Sequence, residues 1–143
     1  MPTTRRTRTL EATPQEVWRV VGDPHHLPRW WPKVTRVEGV DPGAFTQVFT
    51  TAKGRTVRAD HRVVAREEGA ALRWAQVVEG TPFERFLRAA EWEARVDPHS
   101  RGSAVTLSVS QRLRGMSRLG GLLMRGASRR QLDEALDGLA ALV

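Results

Sequence analysis

The C-terminal stretch MSRLGGLLMRGASRRQLDEALDGLAALV, residues 116–143, decides the fold of this chain. Its apolar residues recur with a period of about 3.6 residues, which is typical of an amphipathic α-helix. Counted from Leu119, the predicted apolar stripe consists of Leu122, Gly126, Leu132, Leu136, Leu139, Ala140 and Val143. A helix with one apolar face needs a surface that buries it, and the preceding chain has strand-like alternation. We therefore predict a sheet packed around one long C-terminal helix.

Six segments before this helix show the two-residue alternation of β-strands, and glycine or proline separates each from the next. They are predicted at residues 33–41, 44–52, 55–66, 70–79, 84–97 and 103–113. A further strand is predicted at residues 3–12. Short turns between consecutive strands favour an antiparallel meander. The pattern thus predicts an α+β domain with a seven-stranded, curved antiparallel sheet.

Two short helices are predicted between the first strand and the second. The first begins with Thr13 as its N-cap, Pro14 at the first helical position and Glu16 completing a capping box. The second covers residues 25–31 and follows Asp23, which can cap it. Prolines within and after this segment keep the second helix short.

Length and composition indicate a single domain over residues 1–143. The chain has no cysteine, so disulfides and thiolate metal sites are excluded. The N-terminal residues lack the apolar core of a signal peptide, and no apolar run approaches the roughly 20 residues of a membrane span. We expect a cytoplasmic protein with no metal and no cofactor.

The net charge of +7 comes from 23 basic residues, of which only two are lysine. Most are scattered singly, and the two clusters consist of Arg5, Arg6 and Arg8 and of Arg125, Arg129 and Arg130. A nucleic-acid partner is not expected, because no nucleic-acid-binding module is recognisable. A basic rim that attracts anionic ligands or lipid headgroups fits better, and it predicts a weak contact with anionic membranes. The sequence leaves the oligomeric state open.

Several short motifs carry a resemblance to a known family. They are ATPQEVW at residues 12–18, LPRWWP at 27–32, LRW at 72–74, GSAV at 102–105 and the closing pattern at 132–142. With the order of strand, two short helices, six strands and long helix, the chain resembles the helix-grip fold of the START-like or SRPBCC superfamily. Within it, the chain resembles the polyketide cyclase/dehydrase and lipid-transport type. The resemblance implies an apolar cavity between the sheet and the C-terminal helix, and it implies no single activity, since members differ widely in function.

Strand alternation predicts which side chains face that cavity, because the apolar face of each strand should face the helix. The predicted ligand-binding residues on the strands and the second helix are Trp30, Phe45, Gln47, Phe49, Trp74, Gln76 and Trp92. On the C-terminal helix they are Leu119, Leu122, Leu123 and Gly126, which we expect to form a movable wall because the neighbouring glycines lower helix propensity. Four polar side chains share the apolar strand face, namely Gln47, His61, Gln76 and Arg88. A β-bulge would instead turn any one of these four into solvent.

Three functions are compatible with this pattern. The first is binding of a hydrophobic or polyketide-like small molecule. The second is a cyclase or dehydratase in which His61 is the base and Arg88 supports an oxyanion, although an inward histidine is more often a hydrogen-bonded core residue. The third is a protein-interaction or stress-associated module without catalysis.

Overall fold

A seven-stranded antiparallel sheet packs one face against a long C-terminal helix in the computed structural model, which describes residues 2–115 and 118–143. The side chains of residues 118 and 119 are not described. The strands are β1 (Thr3–Leu10), β2 (Val34–Asp41), β3 (Ala44–Thr50), β4 (Thr56–Glu67), β5 (Ala71–Gln76), β6 (Leu87–His99) and β7 (Gly102–Leu113). The helices are α1 (Pro14–Val21), α2 (Leu27–Trp30) and α3 (Arg118–Leu142), with short 3₁₀ turns at Pro24–His26 and Pro82–Arg85. The predicted helix-grip architecture is confirmed.

The strands follow the order β1-β7-β6-β5-β4-β3-β2 in the sheet. Consecutive strands from β2 to β7 are therefore neighbours, as the predicted meander requires, and β1 pairs with β7 at one edge. Two predicted strand boundaries differ by three residues, and the others differ by two or fewer. The 3₁₀ turn at Pro82–Arg85 delays the start of β6 to Leu87, and β5 ends at Gln76.

The predicted helix starts are present. The Thr13 hydroxyl accepts a hydrogen bond from the backbone N–H of Glu16 at 3.2 Å, and Pro14 is the first helical residue. The Asp23 carboxylate accepts from the backbone N–H of His25 at 3.0 Å and so caps the 3₁₀ turn that leads into α2. These caps satisfy N–H groups that have no intrahelical partner.

The C-terminal half of α3 is the part of the helix that holds it to the sheet. Its residues Leu132, Ala135, Leu136 and Leu139 are buried. They belong to one core with Val105, Leu107 and Val109 of β7, the residues predicted to face inward on that strand. Ion pairs of Arg6 with Asp133 and of Arg8 with Asp137 fix the same half to β1. In the described part of the chain, no helix is long and apolar enough to cross a membrane.

Gly138 brings α3 into direct contact with the backbone of α2. A Cβ atom at this position would lie 2.5 Å from the carbonyl oxygen of Trp30 and 3.0 Å from its Cα. Backbone atoms cannot move aside as the end of a flexible side chain can, so only glycine allows this approach. The contact places α2, and Trp30 with it, against the end of the helix.

We predict that Gly138→Ala destabilises the protein by about 1–3 kcal/mol, because the added methyl group overpacks the α2–α3 contact. Gly126→Ala is the matched control, since its Cβ would meet only the Arg130 guanidinium at 3.6 Å. That control should stabilise α3 by about 0.5–1 kcal/mol through helix propensity. Urea unfolding of both variants measures the two effects, and a Gly138→Ala protein as stable as Gly126→Ala would contradict the close packing.

Candidate functional site

A connected set of aromatic rings lies on the helix-facing side of the sheet. Phe45, His61 and Gln76 are cross-strand neighbours on β3, β4 and β5, and Trp74 lies opposite Trp92 on β6. The Phe45 and His61 rings are stacked with their centroids 5.3 Å apart. The Trp74 and Trp92 rings are stacked with their centroids 6.4 Å apart and an angle of 13° between the ring planes. His61 touches Trp92 edge-on at 5.5 Å, which joins the two stacks into one cluster.

His61 is neutral in this cluster. Burial lowers the pKa of its imidazole to about 4, and the hydrogen bond to the Ala59 carbonyl and the nearby charge of Asp60 only partly oppose that shift. The Nδ1 atom lies 2.9 Å from the carbonyl oxygen of Ala59. Since a carbonyl oxygen only accepts, Nδ1 carries the proton and Nε2 keeps its lone pair. His61 therefore presents a hydrogen-bond acceptor within an aromatic interior.

Three buried N–H donors of the core have no partner among the described residues. They are the indole nitrogens of Trp30 and Trp74 and the amide nitrogen of Gln76, and none has a hydrogen bond to any residue that the structure describes. An unpaired buried donor costs about 1–3 kcal/mol, so native proteins keep few of them. Gln76 lies directly opposite His61 in the β4–β5 ladder, which places a donor beside the His61 acceptor.

A surface cleft of about 360 Å³ lies beside α3. It lies between α3, the end of β7 and the segment that joins α2 to β2, and its lining residues are Pro32, Lys33, Gln111, Met124, Ala127, Ser128, Arg130, Gln131 and Glu134. Gln131 also accepts a hydrogen bond from the indole N–H of Trp92 at 3.4 Å. The Trp92–Gln131 pair therefore separates the cleft from the aromatic cluster.

The structure confirms the inward placement predicted for most strand residues. Trp30, Phe45, Gln47, His61, Trp74 and Trp92 are all buried, and Phe49 and Gln76 are partly buried. Their roles in ligand binding or catalysis remain predictions.

The predicted inward position of Arg88 is wrong. A β-bulge between Leu87 and Ala89 shifts the pairing of β6 with β7 at this point. Leu87 is buried and Arg88 is exposed. Arg88 lines a groove with Arg62, Gln76 and Glu91, and its support of an oxyanion remains a prediction.

The first half of α3 also differs from the prediction. Leu122 and Leu123 are exposed rather than part of the cavity wall, Gly126 lies away from the cleft, and Leu119 falls outside the described side chains. From this half of α3, Gly121, Met124 and Ser128 line the cleft or a neighbouring pocket of about 60 Å³, together with Arg125 and Ala127. Counting backward from Leu132 in steps of four, four and three residues gives Ser128, Met124 and Gly121. A helical face counted from the buried Leu132 therefore predicts these positions, whereas a face counted from Leu119 does not.

Comparisons with known proteins agree with this fold. The family model described as polyketide cyclase / dehydrase and lipid transport matches residues 1–143. No curated protein matches the chain. Among solved structures, protein CV1439 from Chromobacterium violaceum is 22% identical with a TM-score of 0.77, and the match covers 99% of this chain and 96% of that chain.

Two further structures carry functional names. A START superfamily protein from Mycobacterium smegmatis is 11% identical with a TM-score of 0.78, over 97% of this chain and 94% of that one. The di-domain ARO/CYC protein BexL from the BE-7585A biosynthetic pathway is 21% identical with a TM-score of 0.79, over 99% of this chain and 46% of that one. At these identities the structures establish the fold alone. Because the family model covers the whole chain, the protein belongs to the polyketide cyclase/dehydrase and lipid-transport family.

Proposed function

We propose that the protein binds a neutral, largely apolar small molecule with oxygen acceptors, of polyketide-like chemistry, between the sheet and α3. One observation carries this proposal. The buried N–H groups of Trp30, Trp74 and Gln76 have no partner among the described residues, in an interior that is otherwise aromatic. A ligand with carbonyl or hydroxyl oxygens would pair these donors and remove a cost of about 1–3 kcal/mol for each.

The arrangement of the rings favours a flat, unsaturated ligand. The nearly parallel faces of Trp74 and Trp92 suit stacking with a ring system. Carbonyl oxygens of such a ligand would accept from Trp74 and Gln76, and a hydroxyl group would donate to Nε2 of His61. Lys33, Arg130 and Glu134 line the outer cleft, where they would meet a polar end of the ligand that the apolar interior would exclude.

Access to the interior requires the first half of α3 to move. At the positions that face the sheet this half has Gly121, Met124 and Ser128, whereas the second half has fully buried leucines. Burial of a leucine contributes about 1.5–3 kcal/mol, so the two halves differ strongly in how firmly they are held. The single 3.4 Å hydrogen bond between Trp92 and Gln131 is the contact that such a movement would break first.

A cyclase or dehydratase activity is a second candidate, and the neutral His61 is the observation that favours it. Its Nε2 atom could remove a proton from a carbon next to a ligand carbonyl, while Trp74 and Gln76 donate to the developing enolate oxygen. The depressed pKa of His61 makes the imidazole a weak base, however, which lowers the driving force for proton removal. Binding is therefore the better-supported function.

Trp74→Phe should weaken ligand binding about 10-fold, because it removes one hydrogen bond to the ligand and keeps an aromatic ring. Isothermal titration calorimetry with a dihydroxyanthraquinone measures the affinity. Trp18→Phe is the matched control, since the indole N–H of Trp18 already donates to Glu68 on the surface at 3.1 Å. If Trp74→Phe and the unmodified protein bind the ligand with equal affinity, the Trp74 N–H group does not contact the ligand.

His61→Asn tests the enzymatic alternative. The asparagine amide can replace the hydrogen bond to the Ala59 carbonyl but leaves nothing in place of Nε2. For a cyclase or dehydratase, turnover of a poly-β-ketone substrate should fall at least about 100-fold, with a change in substrate affinity smaller than about 10-fold. A variant with unchanged turnover would rule out His61 as the base.

The burial of His61 also predicts a pH dependence of stability. The pKa of His61 is about 4 in the folded protein and 6.5 in the unfolded chain. Between these pH values the unfolded state therefore binds more protons than the folded state. The stability contributed by the neutral ring is present above about pH 6.5 and is lost as the pH falls toward 4. Between about pH 7.5 and 4.5, the free energy of unfolding should fall by about 2.5 kcal/mol more in the unmodified protein than in His61→Asn. Urea unfolding at both pH values measures the difference, and parallel losses would show that His61 is not buried as described.

A further inference from the structure

We infer that the end of the molecule formed by the first half of α3 and the adjoining end of β7 is a docking surface for an anionic lipid bilayer. This inference concerns the outer surface and does not depend on any ligand in the interior. It follows from two independent observations, one on exposed apolar side chains and one on unpaired positive charge.

Exposed apolar side chains concentrate at this end. Leu122 and Leu123 of α3 are 63% and 66% exposed, and Phe86, before β6, is 56% exposed. The carbonyl oxygen of Phe86 accepts a hydrogen bond from the backbone N–H of Arg114 at 3.1 Å, and Arg114 precedes the start of α3 by four residues. The Phe86 loop therefore adjoins the connection into the helix. Of the five large apolar side chains that are exposed among the described residues, three lie in this region.

Exposed arginines lie close in the chain to these apolar side chains. They are Arg85, Arg112, Arg114, Arg125 and Arg129, which we call the arginine collar. Within residues 2–115 and 118–143, no member of the collar forms an ion pair with a carboxylate. Elsewhere among the described residues, some arginines have such a partner, as Arg66 has in Glu68, and others such as Arg19 and Arg101 have none, so the collar is distinguished by the apolar side chains beside it.

The spacing on α3 places the exposed leucines and the arginines at different positions along the helix axis. Leu122, Arg125 and Arg129 follow one another at intervals of three and four residues, so they lie along one side of the helix. The rise of 1.5 Å per residue puts Arg129 about 10 Å beyond Leu122 along the axis. The leucines can therefore enter the boundary between headgroups and acyl chains while the arginines reach the phosphates. Arg125 and Arg129 also line a groove of about 330 Å³ with Arg5 and Arg6 of β1, which can hold a phosphate headgroup.

A bilayer fits these features better than an acidic protein. A stable protein interface buries about 800 Å² on each partner around an apolar centre, whereas this end presents a few separate apolar side chains among dispersed charges. Each arginine near an anionic surface strengthens the attraction, and the apolar side chains add a contribution that salt does not screen. The net charge of +7 favours approach to such a surface.

Cosedimentation with lipid vesicles tests this inference. The full-length protein is mixed with vesicles of phosphatidylcholine alone or with about 30 mol % phosphatidylglycerol, and the partition coefficient should be at least about 10-fold higher on the anionic vesicles. Leu122→Ser/Leu123→Ser should lower binding to the anionic vesicles about 10-fold. Arg125→Gln/Arg129→Gln should lower it by a similar factor and leave binding to the neutral vesicles unchanged.

Arg19→Gln/Arg101→Gln is the matched control, because it removes the same charge at the opposite end of the molecule. Arg101 lies in the β6–β7 hairpin, at the far end of the strand pair from Leu113, and Arg19 lies on α1. This control should change the partition coefficient by less than about 2-fold. All the substituted side chains are exposed, so thermal unfolding should be unchanged in each variant.

Three results would overturn the inference. The first is equal partition onto neutral and anionic vesicles. The second is a control variant that loses as much binding as the variant of Arg125 and Arg129, which would assign the effect to net charge alone. The third is saturable binding to an acidic protein of the host without any binding to vesicles, which would assign the surface to a protein partner.

Discussion

The contact between the C-terminal half of α3 and the sheet is the constraint on which the rest of the molecule depends. Leu132, Leu136 and Leu139 are fully buried there, and each contributes about 1.5–3 kcal/mol. Native stability is only about 5–15 kcal/mol in total, so truncation of any one of these side chains would remove a large part of it. Gly138 extends the same contact to the backbone of α2. Because α3 is held to the sheet at this end, the residues at its other end need not contribute buried side chains to the core.

The interior next to that free end combines two features that conflict in a protein without a ligand. Aromatic rings fill it, yet Trp74 and Gln76 each leave an N–H donor without a partner among the described residues, as Trp30 does beside the anchored end of the helix. Phenylalanine or leucine at these positions would avoid the cost of burying a polar group. The adjacent His61 adds an acceptor in place of a further donor, because its Nδ1 proton is already bonded to the Ala59 carbonyl. Donors and an acceptor in one apolar space recognise a molecule by the positions of its oxygens, which is the basis of the binding function proposed above.

The sequence predicts the fold well because each level of the pattern agrees with the others. The capping residues at Thr13 and Asp23, the glycine and proline turns and the two-residue alternation all have local physical causes, and all appear in the structure. Most inward residues follow from alternation for the same reason. Arg88 does not, because one extra residue at a β-bulge reverses the facing of the strand beyond it, and no local signal in the sequence specifies that bulge.

The prediction of the first half of α3 is wrong for a different reason. Leucines were assigned to the inward face because buried positions are usually apolar, and the stripe was counted from Leu119. The phase of a helix is set by its best-packed segment, here the leucines from Leu132 onward, and that phase places Gly121, Met124 and Ser128 inward. Leu122 and Leu123 then point outward. An amphipathic pattern indicates a helix, but it does not indicate whether a given leucine packs against the sheet or lies on the outer surface.

The two faces of this half of α3 therefore have related physical roles. Gly121 and Ser128 on the inner face bury little apolar area and Met124 is only partly buried, so separating this half from the sheet costs less than separating the leucine-rich half. Apolar side chains on the outer face, Leu122 and Leu123, lower their free energy when they leave water for a lipid boundary. Docking would move this half of the helix only if its displaced position binds the bilayer more tightly than its position against the sheet. Because the cleft lies along the same residues, docking on a bilayer and access of an apolar ligand to the interior would then be coupled through one helix.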